Sequence, residues 1–381
     1  MTEFLQSLQR KLGNGDLKPL KFKSTADSSS ARYLLPIFKR SMGGSNCQYN
    51  AFKNAIKLAY ETKRAVVLTP FFLHGGYVTG QYNLDNMRDF NETFNAKRLD
   101  KLLPVATLDK FKEVCNHGET KVVTWDIGPP GHYEETRKTR FGEYYGINLP
   151  PAAEVVDPTR TTSEEVNVFD QSPCAAFYNP RVINIEFENE AKLSRDVDLH
   201  LVRTPNVLAL ADELSEYICD GEPYLALHWR NRSAEKPCVF GSKQESYCQQ
   251  LQAVMSELAK DASVAIRRFM DQRNIQCMYV AYPSWSKEII DHLGRNIDRK
   301  KIYTADNITS NVRASQIKDD FYLFSLLEQE ICSRSEVFLG AGLSLWSQFV
   351  AEERLANDKE SYYTHQIMGI SDQNKTVLKL M

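Results

Sequence analysis

The chain has 381 residues, more than a single hydrophobic core usually organises, so two domains are expected. Its 47 Lys and Arg against 49 Asp and Glu give a formal net charge of −2, which excludes a protein whose main partner is nucleic acid. The longest apolar run, Ala65 to Leu73, is interrupted by Thr69 and Pro70 and falls short of the roughly 20 residues of a transmembrane segment. Met1 to about Arg32 carries no apolar h-region, which favours the cytosol or a numbering that omits a leader.

Residues 14 to 31 are rich in Gly, Lys and Ser and read as part of a flexible lead-in spanning 1–32. Tyr33 to Phe38 is strand-like, Met42 to Asn46 is a turn, Tyr49 to Tyr60 has helical spacing, and Ala65 to Leu68 is the next buried strand. From Thr69 to Pro180 the pattern loosens around turns such as Gly128-Pro129-Pro130-Gly131, so long functional loops are expected there. Pro205 to Cys219 resumes a helical rhythm and leads into a strand over 224–229. Lys243 to Gln272 reads as amphipathic helix in two pieces, Gln276 to Tyr282 as strand, and Ser284 to Leu293 as a helix capped by Ser284. A strand at Lys301 to Thr304, a helix at Asp320 to Cys332, a strand at Glu336 to Leu339 and a helix at Leu345 to Arg354 complete the alternation. The fold class is therefore α/β, with two Rossmann-like domains over 33–204 and 205–381 facing each other across a cleft.

Eight cysteines permit disulfides without requiring them, being too sparse to staple so long a chain. Neither His-Glu-x-x-His nor Cys-x-x-Cys occurs, so no metal site is expected; Asp196-Val197-Asp198 resembles a metal-binding Asp-x-Asp but lacks its context. Sequons begin at Asn91, Asn231, Asn307 and Asn374.

Three strand exits carry groups suited to an anion. Gly43-Gly44-Ser45-Asn46-Cys47-Gln48 offers backbone amides and a helix amino terminus; read alone it is equally an ordinary tight turn. In His228-Trp229-Arg230-Asn231-Arg232, alternation puts the imidazole and both guanidiniums on one side, and Arg is the side chain best matched to phosphate. The bland alternative is arginines paired with carboxylates such as Glu235. In Gly340-Ala341-Gly342-Leu343-Ser344-Leu345-Trp346-Ser347, Ser344 either caps a helix or presents its hydroxyl to a phosphate. That run lacks the second glycine of a hydrolase nucleophile elbow and the third glycine of a dinucleotide fingerprint, which disfavours an esterase or an oxidoreductase. Glu328-Gln329-Glu330 reads as a solvated or capping face.

Together, the Gly-Gly-x-Asn-x-Gln turn, the Leu227-His228-x-Arg230 strand end and the Glu328 to Gly340 segment running into Ser344-Leu345-Trp346-Ser347 resemble the GDP-fucose O-fucosyltransferase family. The resemblance implies a GT-B fold and inverting, metal-independent transfer of fucose to a hydroxyl acceptor on a protein or glycan. GDP-fucose would be the donor, with no other cofactor. The first domain would take the acceptor and the second the nucleotide sugar. Arg230 and Asn46 match the catalytic positions; Gly43, Gly44, Ser45, His228, Arg232, Ser344, Leu345 and Trp346 match or flank the donor-binding ones. Such enzymes work in the secretory lumen. Two features depart from the pattern: Tyr282-Pro283 stands where relatives carry a Thr-Asp-like pair, and no carboxylate stands beside the glycine turn. Both leave open a catalytically silent sugar-nucleotide or glycan-binding module of the same fold.

Overall fold

The computed structural model describes residues 31–38, 44–72, 87–116, 120–124, 132–151, 153–155, 172–180, 189–231 and 245–371. The Gly128 to Gly131 turn, Gly43, Arg232, Glu235 and Asn374 lie outside these residues. The chain divides between Thr204 and Pro205 into two compact units.

In the first unit, strand β1 (Tyr33–Ile37) leads to helix α1 (Ser45–Glu61) and β2 (Ala65–Val67). A two-residue hairpin, β3 (Phe71–Phe72) with β4 (Met87–Arg88), stands apart from the main sheet. The sheet is completed by β5 (Val105–Ala106), β6 (Lys121–Thr124), β7 (Glu154–Val155) and β8 (Cys174–Tyr178), in the order β5-β2-β1-β8-β6-β7 with every pair parallel. Helix α2 (Leu108–Cys115) packs Phe111 and Cys115 into the core of this sheet, and helix α3 (Glu190–His200) lies against α1. The segment from Thr69 to Pro180, expected as loops, therefore supplies four of the six sheet strands. Its strands are mostly two residues long, too short to show a period of two, which is why the sequence pattern looks loose there. A π-helix over Thr136–Tyr144 adds to the blurring, because its spacing is not 3.6.

The second unit contains α4 (Pro205–Tyr217), β9 (Tyr224–His228), α5 (Glu245–Gln272), β10 (Cys277–Ala281), α6 (Glu288–Asn296), β11 (Ile302–Thr304), α7 (Phe321–Arg334), β12 (Val337–Gly340), α8 (Leu345–Ala356) and β13 (Ser361–Tyr363). Its sheet runs β11-β10-β9-β12-β13, all parallel. β9 packs Tyr224 and Ala226 into one core and Leu225, Leu227 and Trp229 into the other, the signature of a strand buried on both faces. Two expectations are corrected. α5 is one uninterrupted helix, with Met255, Ala259, Ala262, Ile266 and Met270 as a continuous buried stripe. α6 starts at Glu288 rather than after Ser284, because Ser286 N–H donates to Pro283 O (2.8 Å) and closes a turn first.

In each sheet the order reverses beside the first strand, between β1 and β8 and between β9 and β12. Such a switch point opens a crevice at the carboxyl ends of the strands, where ligands of open α/β sheets bind.

Candidate active site at the strand exits

In the second unit the switch point is bridged by side chains. His228 closes β9, and its Nδ1 lies 2.6 Å from Ser347 Oγ in the first turn of α8. The same hydroxyl accepts the Ala341 N–H at 2.8 Å, tying the loop after β12 to both neighbours. Gly340 is required by this close approach: a Cβ there would stand 2.9 Å from Ser347 Cβ. The imidazole stacks on Trp346, with centroids 4.1 Å apart and planes at 26°, while Trp346 Nε1 donates to Ser325 Oγ at 2.9 Å. Burial first, and the Arg230 charge second, push the His228 pKa down to about 3. At neutral pH the ring is uncharged, and Nε2 is the nitrogen without a hydrogen-bond partner among the described residues.

Ser344 occupies the N-cap position of α8, as its place in the sequence suggests, but its side chain does not cap. The hydroxyl is buried, with the residue 1% exposed, and makes no hydrogen bond to a described residue. The amides of Leu345 and Trp346 belong to the first turn, whose N–H groups have no partner within the helix. This helix start therefore presents a hydroxyl, backbone donors and the positive end of a macrodipole.

Arg230 sits half-buried just past β9. On its amino-terminal side, Trp229 N–H continues the ladder to Ala281 O at 2.9 Å, and Trp229 Nε1 donates to Ser286 Oγ at 3.1 Å. On its carboxyl-terminal side, Asn231 is buried and donates from Nδ2 to Ser286 Oγ (3.0 Å) and Glu288 Oε1 (2.8 Å). With its amide enclosed, Asn231 is not a glycan acceptor in the folded chain, whatever its sequon allows.

Glu328-Gln329-Glu330 is not the solvated face expected. Gln329 and Glu330 are buried, and Glu330 Oε2 meets Arg334 Nη1 at 2.5 Å. Glu328, half-buried as a side chain, accepts the Tyr279 hydroxyl at 2.9 Å. Its carboxyl group lies in desolvated surroundings that raise its pKa to about 7 against the opposing effect of that hydrogen bond.

In the first unit, Gly44 is the N-cap of α1, with Ser45, Asn46 and Cys47 half-buried in the first turn. Gly44 has φ −69°, so the turn does not call on glycine's left-handed freedom at that position. Gln48 of the same motif has a structural role. Its Nε2 donates to Phe72 O (3.1 Å) and its Oε1 accepts Phe72 N–H (2.8 Å), fixing β3 beside the helix. Asp196-Val197-Asp198 lies within α3, where Asp198 pairs with the buried Lys53 at 2.6 Å. Among the described residues no group of three or more His, Cys, Asp or Glu is gathered to hold a metal.

Sequence reasoning missed Ser347, Ser286 and Glu288. The two serines carry no periodic or charge signal, and Glu288 reads as an ordinary helix-start acid.

Two parallel-sheet α/β units, each with a helix amino terminus at the switch point of its sheet, are the build of GT-B glycosyltransferases. The model of the family described as GDP-fucose protein O-fucosyltransferase matches residues 33–357, and the chain belongs to that family. It is a glycosyltransferase that uses GDP-fucose. Among solved structures it is similar to POFUT1 in its apo form, with a TM-score of 0.56 and 15% identity over 88% of this chain and 99% of that one. It is also similar to POFUT1 in complex with GDP-fucose, with a TM-score of 0.57 and 14% identity over 89% and 99% of the two chains. At these identities the likeness is one of fold. A comparison with curated proteins gave no match.

Proposed function

We propose that the chain transfers fucose from GDP-fucose to a hydroxyl acceptor, on protein Ser or Thr or on a glycan, with inversion at the fucose C1 and without a metal. The observation that carries this reading is the second unit's switch point. There Arg230 follows β9, and the buried Ser344 hydroxyl, which bonds to no described residue, stands at the start of α8. Breaking the C1–O bond leaves its electron pair on the diphosphate. Arg230, the Ser344 hydroxyl and the Leu345 and Trp346 amides are fixed donors suited to that developing charge, and they make a charge-compensating metal unnecessary. POFUT1 has been crystallised with GDP-fucose, which supports the same donor here.

His228 has a different task. An uncharged imidazole stacked on Trp346 is a rigid wall with one open nitrogen, suited to contacting the nucleoside rather than to neutralising phosphate. Gly44, Ser45 and Asn46 belong to the strand exit of the first unit, and Asn46→Ala tests whether that exit takes part in transfer. The disulfides Cys115–Cys174 and Cys219–Cys277, with Cys248 also bonded, favour an oxidising compartment such as the secretory lumen. Among the described residues no helix is long and apolar enough to cross a membrane.

Isothermal titration with GDP, GDP-fucose and UDP, followed by assay of GDP release with protein and glycan acceptors, tests the reading. Binding of GDP with release of no GDP from GDP-fucose would point to a silent module. Retention of configuration in the product would overturn the inverting step.

A further inference from the structure

The residues on both sides of Arg230 are fastened to one hydroxyl. Ser286 Oγ accepts Trp229 Nε1 (3.1 Å) and Asn231 Nδ2 (3.0 Å), and donates to Glu288 Oε1 at 2.5 Å. Glu288 Oε1 takes a second bond, from Asn231 Nδ2 at 2.8 Å. Trp285 Nε1 closes the set by donating to the Asn231 carbonyl at 3.1 Å. Ser286 and Asn231 are 0% and 1% exposed, so water does not easily replace these bonds. The hub itself is pinned, since Ser286 N–H bonds Pro283 O and Glu288 opens α6. Trp229 Nε1, Asn231 Nδ2 and the Ser286 hydroxyl therefore converge on one serine oxygen and one carboxylate oxygen between the end of β10 and the start of α6.

We infer that Glu288, acting through Ser286 and Asn231, is a positioning residue for Arg230: it fixes the backbone on either side of the arginine and so aims the guanidinium at the leaving diphosphate. The inference rests on the role given to Arg230 above. A catalytic cation must stand in place before charge develops, because reorienting it during the reaction would cancel much of its benefit. A flexible strand exit would not do this. Removing the Glu288 carboxylate leaves two buried donors, the Ser286 hydroxyl and the Asn231 amide, without their shared acceptor, and residues 229–231 relax. Glu288 touches no reacting atom in this scheme.

The experiment follows GDP release from GDP-fucose, by hydrolysis where no acceptor is supplied. Glu288→Ala is expected to lower kcat by about 10- to 100-fold while KM for GDP-fucose stays within about threefold. Glu288→Gln, whose amide oxygen still accepts both bonds, should recover most of the loss. The decisive readout is a double-mutant cycle with Arg230→Lys, which keeps the charge and removes the guanidinium fork. Glu288→Ala should cost little in that background. The same fold-loss in both backgrounds would reduce Glu288 to a merely structural part and overturn the inference, as would Glu288→Ala at full kcat. Should Glu288→Ala fail to fold, Ser286→Ala removes the hub from its other end, and wild-type kcat in that variant would equally overturn it. An active wild type, an inactive Arg230→Ala and an unimpaired Glu288→Ala would sink the clamp alone. A wild type that binds GDP-fucose and releases no GDP would sink the proposed function and the clamp with it.

Discussion

In the first unit β5, β7, β3 and β4 are two residues long, whereas in the second every strand runs three to five residues. The difference shows in what the buried polar side chains do. In the first unit they replace missing ladder. Gln48 holds both backbone groups of Phe72, and Arg64 reaches the carbonyls of Tyr33, Pro173 and Ser172. Arg140 donates to Pro70 O while lying 4.0 Å over the Phe72 ring. In the second unit the ladder is continuous and such bracing gathers at the amino-terminal edge, where Arg354 binds the carbonyls of Ser333, Ser335, Glu336 and Glu360. At the other edge the Ser344 hydroxyl is buried and bonds to no described residue, while His228, Trp229 and Asn231 are held by serine hydroxyls. On the proposed function, a complete sheet leaves its carboxyl-end side chains for chemistry, whereas a fragmentary one uses its polar side chains as braces.

The largest effect that tests this contrast is on turnover. Arg230→Ala should lower kcat for GDP release by about 10³-fold, the scale of losing a fixed donor to a developing anion. Its melting temperature should stay within about 2 °C if its role is in turnover rather than in holding the fold. Arg64→Ala should do the reverse, with a clear drop in melting temperature and GDP affinity unchanged. An Arg230→Ala protein that melts early would make that arginine a brace and erase the contrast.

Disulfides come next. Cys115–Cys174 and Cys219–Cys277 span separations of 59 and 58 residues, so removing either should cost a similar amount, about 4 kcal/mol on loop entropy. Paired Cys→Ser variants followed by urea unfolding check the equality. GDP binding should weaken only for the Cys219/Cys277 pair, because that bridge lies in the unit given the nucleotide. A smaller loss, about 2 kcal/mol, is expected for Gln48→Ala, which removes the two buried bonds that Gln48 makes to the Phe72 backbone. A thermal melt reports it, and a melt unchanged by Gln48→Ala would mean that β3 holds without the brace.

The same contrast explains what could be read in the sequence. In the second unit, Tyr224-Leu225-Ala226-Leu227, Cys277-Met278-Tyr279-Val280 and Val337-Phe338-Leu339 are runs apolar on both faces, so these strands and their exits are legible in the sequence, whereas the edge strand β13 and the order of the sheet are not. In the first unit Tyr33 to Val67 is read as strand, helix and strand, whereas the two-residue β5 and β7 show no period and β6 and β8, of four and five residues, go unread among them. Ser286 and Glu288 were hidden for another reason: they matter through partners more than 50 residues away, which no local pattern encodes.

The mildest test uses two titrating groups of the second unit whose signs oppose. His228 has an ordinary pKa of 6.5, brought to about 3 by folding. Below pH 6.5 the unfolded chain takes up a proton that the folded chain refuses, so this group's stabilisation is complete above 6.5 and is lost as the pH falls toward 3. Glu328 has an ordinary pKa of 4.5, raised to about 7. The folded chain keeps a proton that the unfolded chain releases, so its stabilisation is complete below 4.5 and is lost as the pH rises toward 7. Between 4.5 and 6.5 the two slopes oppose, each below the limit of about 1.4 kcal/mol per pH unit because both side chains are only half-buried. Wild-type stability should therefore vary less across this window than that of either variant. His228→Gln should become more stable toward pH 4.5, with the Glu328 slope left alone, and Glu328→Gln should become less stable over the same interval. Urea midpoints at half-unit steps decide it. Parallel slopes in the two variants would mean that the carboxyl edge of this sheet is as solvated as an ordinary surface, and it would then lack the dry, preorganised donors that the proposed transfer requires.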